Sequence, residues 1–268
     1  MSPRLSIVTI CLNDRVGLAA ALDSVLVQTY RDWELVVVDG ASTDGSVEEI
    51  RSREDRIASW VSEKDGGIFD AQNKGLARSR GEYVLFLNAG DRLASADALA
   101  RLMEPPPTED VVYGDAWFQW KGQLRPWRQP DRLTFAFLMR SSLAHQATAF
   151  RRELFERVGP ADATFRIAGD YEFVLRAVVV HGATARHVPF PVAVHDAHGV
   201  SSLPENAARV ERERERAQAK NLPRLVLEHH REYLRLRERT LGRRVRALFR
   251  PVFRPIRAFF RRLRGLPE

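Results

Sequence analysis

The chain reads as an α/β protein built on a mostly parallel central sheet flanked by helices, and three observations carry that reading. Short β-branched apolar runs recur at Leu5–Leu12, Trp33–Val38, Ile57–Ser62 and Tyr83–Leu87. These runs are apolar almost continuously rather than in alternation, the pattern of parallel strands buried on both faces. The segments between them have helical spacing or Gly- and Asp-containing turns, so strand and helix alternate as βαβ units.

Taken in order, LSIVTICL is the first strand, and Asn13-Asp14 ends it and can cap a helix whose apolar face is Leu18, Leu22, Val25 and Leu26. Trp33–Val38 is the second strand and stops at Asp39-Gly40. In the following ASTDGSVEEI, Ser46 and Glu49 have capping-box spacing for a short helix. Ile57–Ser62 gives the third strand and Asp65-Gly66-Gly67 the turn after it. A helix through Asn73 to Arg80 then leads to the buried strand Tyr83–Leu87, which ends in polar residues and a carboxylate, Asp91. Open α/β sheets bind ligands beyond the carboxyl ends of their strands, which places Asp91 where chemistry is expected.

Beyond Asp91 the pattern changes. Ser95–Met103 reads as a short helix, Pro105-Pro106-Pro107 as a rigid spacer and Val111–Asp115 as another buried strand. Trp117, Trp120 and Trp127 follow in a section with the character of a hairpin and loop that carries aromatic side chains into a cleft. His145–Gly159 reads as a short strand and a helix ended by Gly159, Asp170–Val180 as a helix, and Val188–Val194 as an edge strand interrupted by prolines. Pro204–Arg239 is a charged helix or helical pair whose Glu/Arg alternation around Glu211–Arg216 reads as a solvated, ion-paired face.

Composition narrows the function classes. With 268 residues, 44% apolar and 29% charged, the chain is long enough for one large core and has the balance of a globular protein. Its single cysteine, Cys11, excludes an internal disulfide and fits a reducing cytoplasm. No apolar run approaches the ~20 residues of a membrane span, and the N-terminus lacks the apolar core of a secretory signal. The net charge of +7 is a property of the tail: Arg239–Arg264 holds ten arginines and no acid, so the remainder carries −3. Nucleic acid is therefore not an expected partner. In that tail Leu241, Val245, Leu248, Phe249, Val252, Phe253, Ile256, Phe259, Phe260 and Leu263 keep helical spacing opposite the arginines, the composition of an interfacial helix seeking anionic lipid over 241–264. Pro251 and Pro255 are expected to break or kink it.

Several motifs occur in a fixed order: SIVTICLND, VVVDGASTDGS, EKDGGIFDAQNKG, FLNAGD, VVYGD, GDYEF and GVSS. On these residues, over Leu5–Ser202, the chain resembles the family 2 glycosyltransferases, in particular the small type associated with bacterial exopolysaccharide and capsule assembly. The resemblance implies a GT-A fold in a catalytic domain over 1–203, with a nucleotide-sugar half over 1–92 and an acceptor half over 93–203. The charged helical segment 204–238 and the basic tail 239–268 follow. It also implies an inverting transfer from a nucleotide-diphosphate sugar to a saccharide or lipid-linked acceptor, in the cytoplasm at the inner face of the plasma membrane. The alternatives are a catalytically weak or non-catalytic nucleotide-sugar-binding member of an assembly complex, and a sugar-phosphate nucleotidyltransferase, whose Gly-rich basic signature CLNDR does not match.

By resemblance, Thr9, Asn13 and Asp39 line the nucleoside site, Asp65 and Lys74 lie near the nucleotide, and Asn88 faces ribose or donor. An Asp-Gly pair such as Asp39-Gly40 is also an ordinary turn, and a helical surface lysine an ordinary finding. Many relatives carry Asp-x-Asp-Asp where this chain has Asn88-Ala89-Gly90-Asp91. The resemblance implies a divalent metal, Mn or Mg, with Asp91 as prime ligand; one carboxylate with phosphate oxygens and water can hold such an ion, and His195 and His198 are candidates for a further ligand, although a lone histidine is more often structural. Asp170 aligns with the catalytic carboxylate of the family's Glu-Asp pair, whose glutamate is Gly169 here. It would take the proton of the acceptor hydroxyl, although a carboxylate in a first helical turn also serves as a plain cap.

Overall fold

The structure, a computed structural model, describes residues 3–196 and 199–237. It forms two compact units, Met1–Asn221 and Leu222–Glu268, which divide the charged segment expected over 204–238.

In the first unit three βαβ steps build the N-terminal half. Strand β1 (Leu5–Cys11) leads to α1 (Arg15–Leu26), β2 (Trp33–Asp39), α2 (Ser46–Arg51), β3 (Ser59–Ser62), α3 (Ile68–Arg78) and β4 (Tyr83–Phe86). These strands pair in parallel in the order β3-β2-β1-β4. β1 is buried along its whole length, as its unbroken apolar run requires. Helix α1 packs on one face with Leu18, Leu22 and Val25 inward, while α3 lies on β1 and β2. The capping-box reading of α2 is corrected: Gly45 occupies the cap position at φ +95°, and Asp44 accepts from the Ser46 N–H and hydroxyl at 3.1 and 2.6 Å.

The rest of the unit continues through β5 (Arg92–Leu93), α4 (Ala98–Met103), β6 (Val111–Trp120), β7 (Gln123–Trp127), α5 (Phe135–Leu138), β8 (Thr148–Arg151), α6 (Arg152–Val158), α7 (Gly169–Leu175), β9 (Ala185–Asp196) and α8 (Ala207–Asn221). The full sheet order is β3-β2-β1-β4-β8-β6-β9-β5, with β7 hairpinned onto β6. Lys121 and Gly122, at φ 48° and 76°, make the hairpin turn between them.

The edge reading of Val188–Val194 holds where its prolines stand: β9 runs parallel to β6 on one side, and the two-residue β5 covers the other side only at Ala193 and Val194. The register opens between Gly114 and Ala116, where Asp115 faces Pro191, and that bulge takes up the prolines that a regular ladder would exclude. After α7 the chain continues as one π-helical turn over Arg176–Val180.

Among the described residues no helix is long and apolar enough to cross a membrane. The described part of the second unit is a helix over 224–237, with an Arg224–Glu228 pair at 2.6 Å one turn apart. The basic tail 239–268 and its expected lipid-facing stretch lie outside the described residues, as does His198.

Candidate active site

At the carboxyl ends of β1 and β2, Cys11 stands opposite Asp39. Thr9 and Asp39 are fully buried. One Asp39 oxygen, Oδ2, accepts from the Ser42 N–H at 2.9 Å and the Ser62 hydroxyl at 2.6 Å. The other, Oδ1, has no hydrogen-bond partner, and neither has the Thr9 hydroxyl. Buried polar atoms left unpaired are costly, so two adjacent to a strand end mark a place where a ligand's donors and acceptors would be satisfied. Asn13, at φ 51°, donates its N–H to Ser42 Oγ and accepts from the Thr43 N–H on Oδ1, so its amide organises the loop that Asp39 also holds. Asp65 accepts from the Gly67 N–H at 2.9 Å and reaches back to Gly40, where an added Cβ would stand 2.7 Å from its carboxylate.

Thr9, Asn13, Asp39 and Asp65 therefore share one corner. Lys74 is committed nearby: its ammonium donates to the Lys64 carbonyl and pairs with Glu63, both at 2.9 Å, with Asp70 at 3.6 Å. The Glu63 hydrogen bond is the main cause of its raised pKa.

The second corner adjoins the first. Leu87 and Ala89 donate to the carbonyls of Val8 and Ile10, which carries the Asn88–Asp91 turn alongside the end of β1. The turn closes with Asp91 N–H on the Asn88 carbonyl at 3.1 Å and needs φ +91° at Gly90, a conformation that a side chain would strain. Asp91 is buried; its Oδ1 accepts from His195 Nδ1 at 2.9 Å and from the Asp196 N–H at 3.2 Å. Its Oδ2 lies 3.7 Å from His145 Nε2, and His145 Nδ1 lies 3.5 Å from Asp170 Oδ2. One imidazole thus spans the two carboxylates on which the sequence reading rests.

Asn88 orients that ring. Its Oδ1 accepts from Gln72 Nε2 at 3.2 Å, so Nδ2 is the donor toward His145 Nε2 at 3.3 Å, and in the neutral ring Nδ1–H then faces Asp170. Burial alone would depress the His145 pKa; the hydrogen bond to Asp170 and the charges of Asp170 and Asp91 outweigh it and hold the ring above the usual histidine value. The sequence reading missed His145, taking HQATAF as the head of a strand. Its one cue was an imidazole and an amide in a row immediately before an apolar run.

Both ring nitrogens of His195 are engaged, Nδ1 by Asp91 and Nε2 by Ser202 Oγ at 3.1 Å, so it braces Asp91 from behind. Its other neighbours are aromatic: Phe118 and Trp127 each lie 5.8 Å away, ring to ring. With Arg125, Pro126 and Ser202 they line an open cavity of about 450 Å³. Of the three tryptophans singled out in the sequence, Trp127 lines this cavity, with Phe118 in place of Trp117 and Trp120.

Asp170 stands in the first turn of α7, and its Oδ1 accepts from the Tyr171 N–H at 2.8 Å. A Cβ on Gly169 would lie 2.7 Å from two atoms of the Phe69 ring on α3, which explains why no side chain precedes Asp170. Glu172, itself fully buried, accepts instead from Arg176, Lys220 and Asn221.

Among the described residues no group of three or more His, Cys, Asp or Glu is arranged to hold a metal ion. Asp91 Oδ2 is nevertheless not used by the His195 and Asp196 bonds, and the donor set fits an ion bound by one protein carboxylate and completed by diphosphate oxygens and water.

Residues 6–164, more than half of the chain, match glycosyl transferase family 2. The protein is a family 2 glycosyltransferase. A PGL/p-HBAD biosynthesis glycosyltransferase of Mycobacterium tuberculosis is 34% identical over 210 residues, covering 74% of this chain and 78% of that one. Among solved structures, the mannosyltransferase PcManGT from Pyrobaculum calidifontis, in complex with GDP-Man and Mn²⁺, superposes with a TM-score of 0.58 at 24% identity, covering 80% of this glycosyltransferase and 61% of that chain. S. aureus TarS 1–349 in complex with UDP-GlcNAc gives 0.56 at 19%, covering 73% and 58%. Both likenesses concern the fold, which is of the GT-A type, and this chain spans less than two thirds of either solved chain.

Proposed function

We propose that this glycosyltransferase moves a sugar from a nucleoside-diphosphate donor to a saccharide or lipid-linked acceptor in a single inverting displacement. The observation that carries the reading is the line Asp91–His145–Asp170, with contacts of 3.7 and 3.5 Å, set beside the unpaired buried atoms of Thr9 and Asp39. Thr9 and Asp39 hold the nucleoside, and the Asn88–Asp91 turn faces the diphosphate. The nucleotide-sugar complexes of the two structural neighbours support that class of donor.

Asp170 accepts the proton of the acceptor hydroxyl while that oxygen bonds to the anomeric carbon; the bond to the diphosphate oxygen breaks on the opposite side, and the electron pair leaves with the nucleoside diphosphate. His145 keeps Asp170 oriented and separates it from Asp91, whose negative charge would otherwise oppose it. A divalent cation on Asp91 Oδ2 would supply charge neutralisation for the leaving diphosphate. The cavity beside His195 lies on the acceptor side, and the mycobacterial relative's name supports a glycolipid or glycan pathway. The basic amphipathic stretch 241–264 supports peripheral attachment to an anionic membrane at its cytoplasmic face, which brings the site to a lipid-linked acceptor.

The test is Asp170→Asn in the full chain. Turnover is expected to fall at least 10²-fold with donor affinity intact. Near-normal turnover in a folded variant would remove Asp170 as the base.

A further inference from the structure

The segment that presents Asp170 lies beyond the family match, which ends at residue 164. Helix α7 has no side-chain cap of its own: Ala168 occupies the cap position. The three backbone N–H groups that lead into it are met by one carboxylate from α8. Glu213 Oε2 accepts from the Ile167 and Ala168 N–H groups at 2.9 Å each, and the Arg166 N–H lies 3.1 and 3.2 Å from the two Glu213 oxygens. Charge-assisted bonds of this kind are the strong ones, and three consecutive amides on one carboxylate fix the backbone up to two residues before Asp170.

The residues that follow Asp170 are held by the same helix. Tyr171 accepts on its hydroxyl from Gln218 Nε2 at 2.9 Å and lies under the Arg214 guanidinium at 4.7 Å. Glu172 accepts from Lys220 and Asn221, both at 3.0 Å. The backbone around Asp170 is thus clamped to α8 on either side, while its carboxylate reaches the other way to His145.

We propose that Glu213 is a positioning residue for catalysis, whose carboxylate sets where Asp170 stands relative to His145 and the reacting hydroxyl. The inference rests on Asp170 as the base. Glutamine in its place keeps one oxygen for these amides but loses the negative charge and turns an NH₂ group toward the Arg166 N–H, so the shared anchor is weakened. A shift of order 1 Å at a reacting group costs about 10²-fold in rate.

The experiment compares Glu213→Gln, Asp170→Asn and, as a control on the same helix, the exposed Glu215→Gln, all in the full chain. Release of UDP from UDP-N-acetylglucosamine and of GDP from GDP-mannose gives kcat and donor KM; amide hydrogen exchange reports on Arg166, Ile167 and Ala168. Glu213→Gln is expected to lower kcat about 10- to 100-fold with donor KM within about twofold, and to speed exchange at those three amides while the sheet stays protected. Glu215→Gln is expected to behave as wild type. If Asp170→Asn is inactive and Glu213→Gln keeps its kcat, the positioning role is overturned and the base assignment stands. If Asp170→Asn keeps its turnover, the base assignment fails and takes this inference with it. A Glu213→Gln loss that arises in donor KM, or with exchange raised throughout the sheet, also overturns it. Should Glu213→Gln not fold, Glu213→Asp is judged by the same criteria.

Discussion

Replacing Glu172 by glutamine removes the charge on which Arg176, Lys220 and Asn221 converge. The carboxylate is 0% exposed, with Arg176 Nε at 3.1 Å and Lys220 Nζ at 3.0 Å. Breaking a buried pair by deleting one partner costs about 3–5 kcal/mol. Two features reduce that here: Lys220 is 42% exposed and keeps Asp162 at 2.7 Å, and Arg176 keeps the Pro160 carbonyl at 2.8 Å. About 2–3 kcal/mol remains after that discount for screening and retained partners. In a folded unit of this size that lowers Tm by about 4–12 °C.

The pH dependence supplies an internal control. Burial raises the Glu172 pKa, but hydrogen bonds from Arg176, Asn221 and Lys220 outweigh it and hold the group below its ordinary 4.5. A carboxylate depressed in the folded state contributes stability that is fully present above its unfolded value and is lost as pH falls through the folded one. The gap between wild type and Glu172→Gln, followed by circular dichroism on heating, should therefore be full at neutral pH and close in acid. A gap under about 0.5 kcal/mol at neutral pH, within the range of ordinary surface changes, refutes the reasoning. So does a gap that stays constant into acid.

Two further outcomes concern the site. His145→Ala should reduce kcat about 10- to 100-fold with donor KM little changed, because Asp170 and Asp91 lose the group between them; wild-type kinetics would show that the imidazole is a bystander. Thr9→Val removes a hydroxyl that is buried without a partner, so the free enzyme should melt no lower than wild type while UDP or GDP binds about five- to tenfold more weakly by calorimetry. A variant that melts earlier and binds nucleotide normally would mean that the hydroxyl serves the fold.

The parallel strands β1, β2 and β4 were legible because they are buried on both faces and so leave unbroken apolar runs. Asp39, Asp91 and Asp170 were singled out because each belongs to one of the ordered motifs that carry the resemblance. His145 was not: its meaning comes from β8 entering the sheet beside β4 and bringing a loop between two carboxylates far away in sequence, a fact of topology. Glu213 was hidden for another reason. It sits in a Glu/Arg alternation whose members look alike in sequence, and only the packing of α8 on α7 separates the one that binds three amides from those that face water. The prolines of β9 were informative: they stand where the strand has β6 alone as a ladder partner, beside a bulge.

The contact between Gly169 and Phe69 also constrains the order in which this sequence can change. A lineage gaining the acidic pair that the resemblance implies could not begin at position 169, since a side chain there meets a ring that is itself buried. A smaller residue at position 69 would have to come first, and alone it leaves a void in the core. The two changes are coupled through one contact, each harmful without the other. Selection acting one substitution at a time therefore meets a valley between the single-carboxylate form seen here and the paired form.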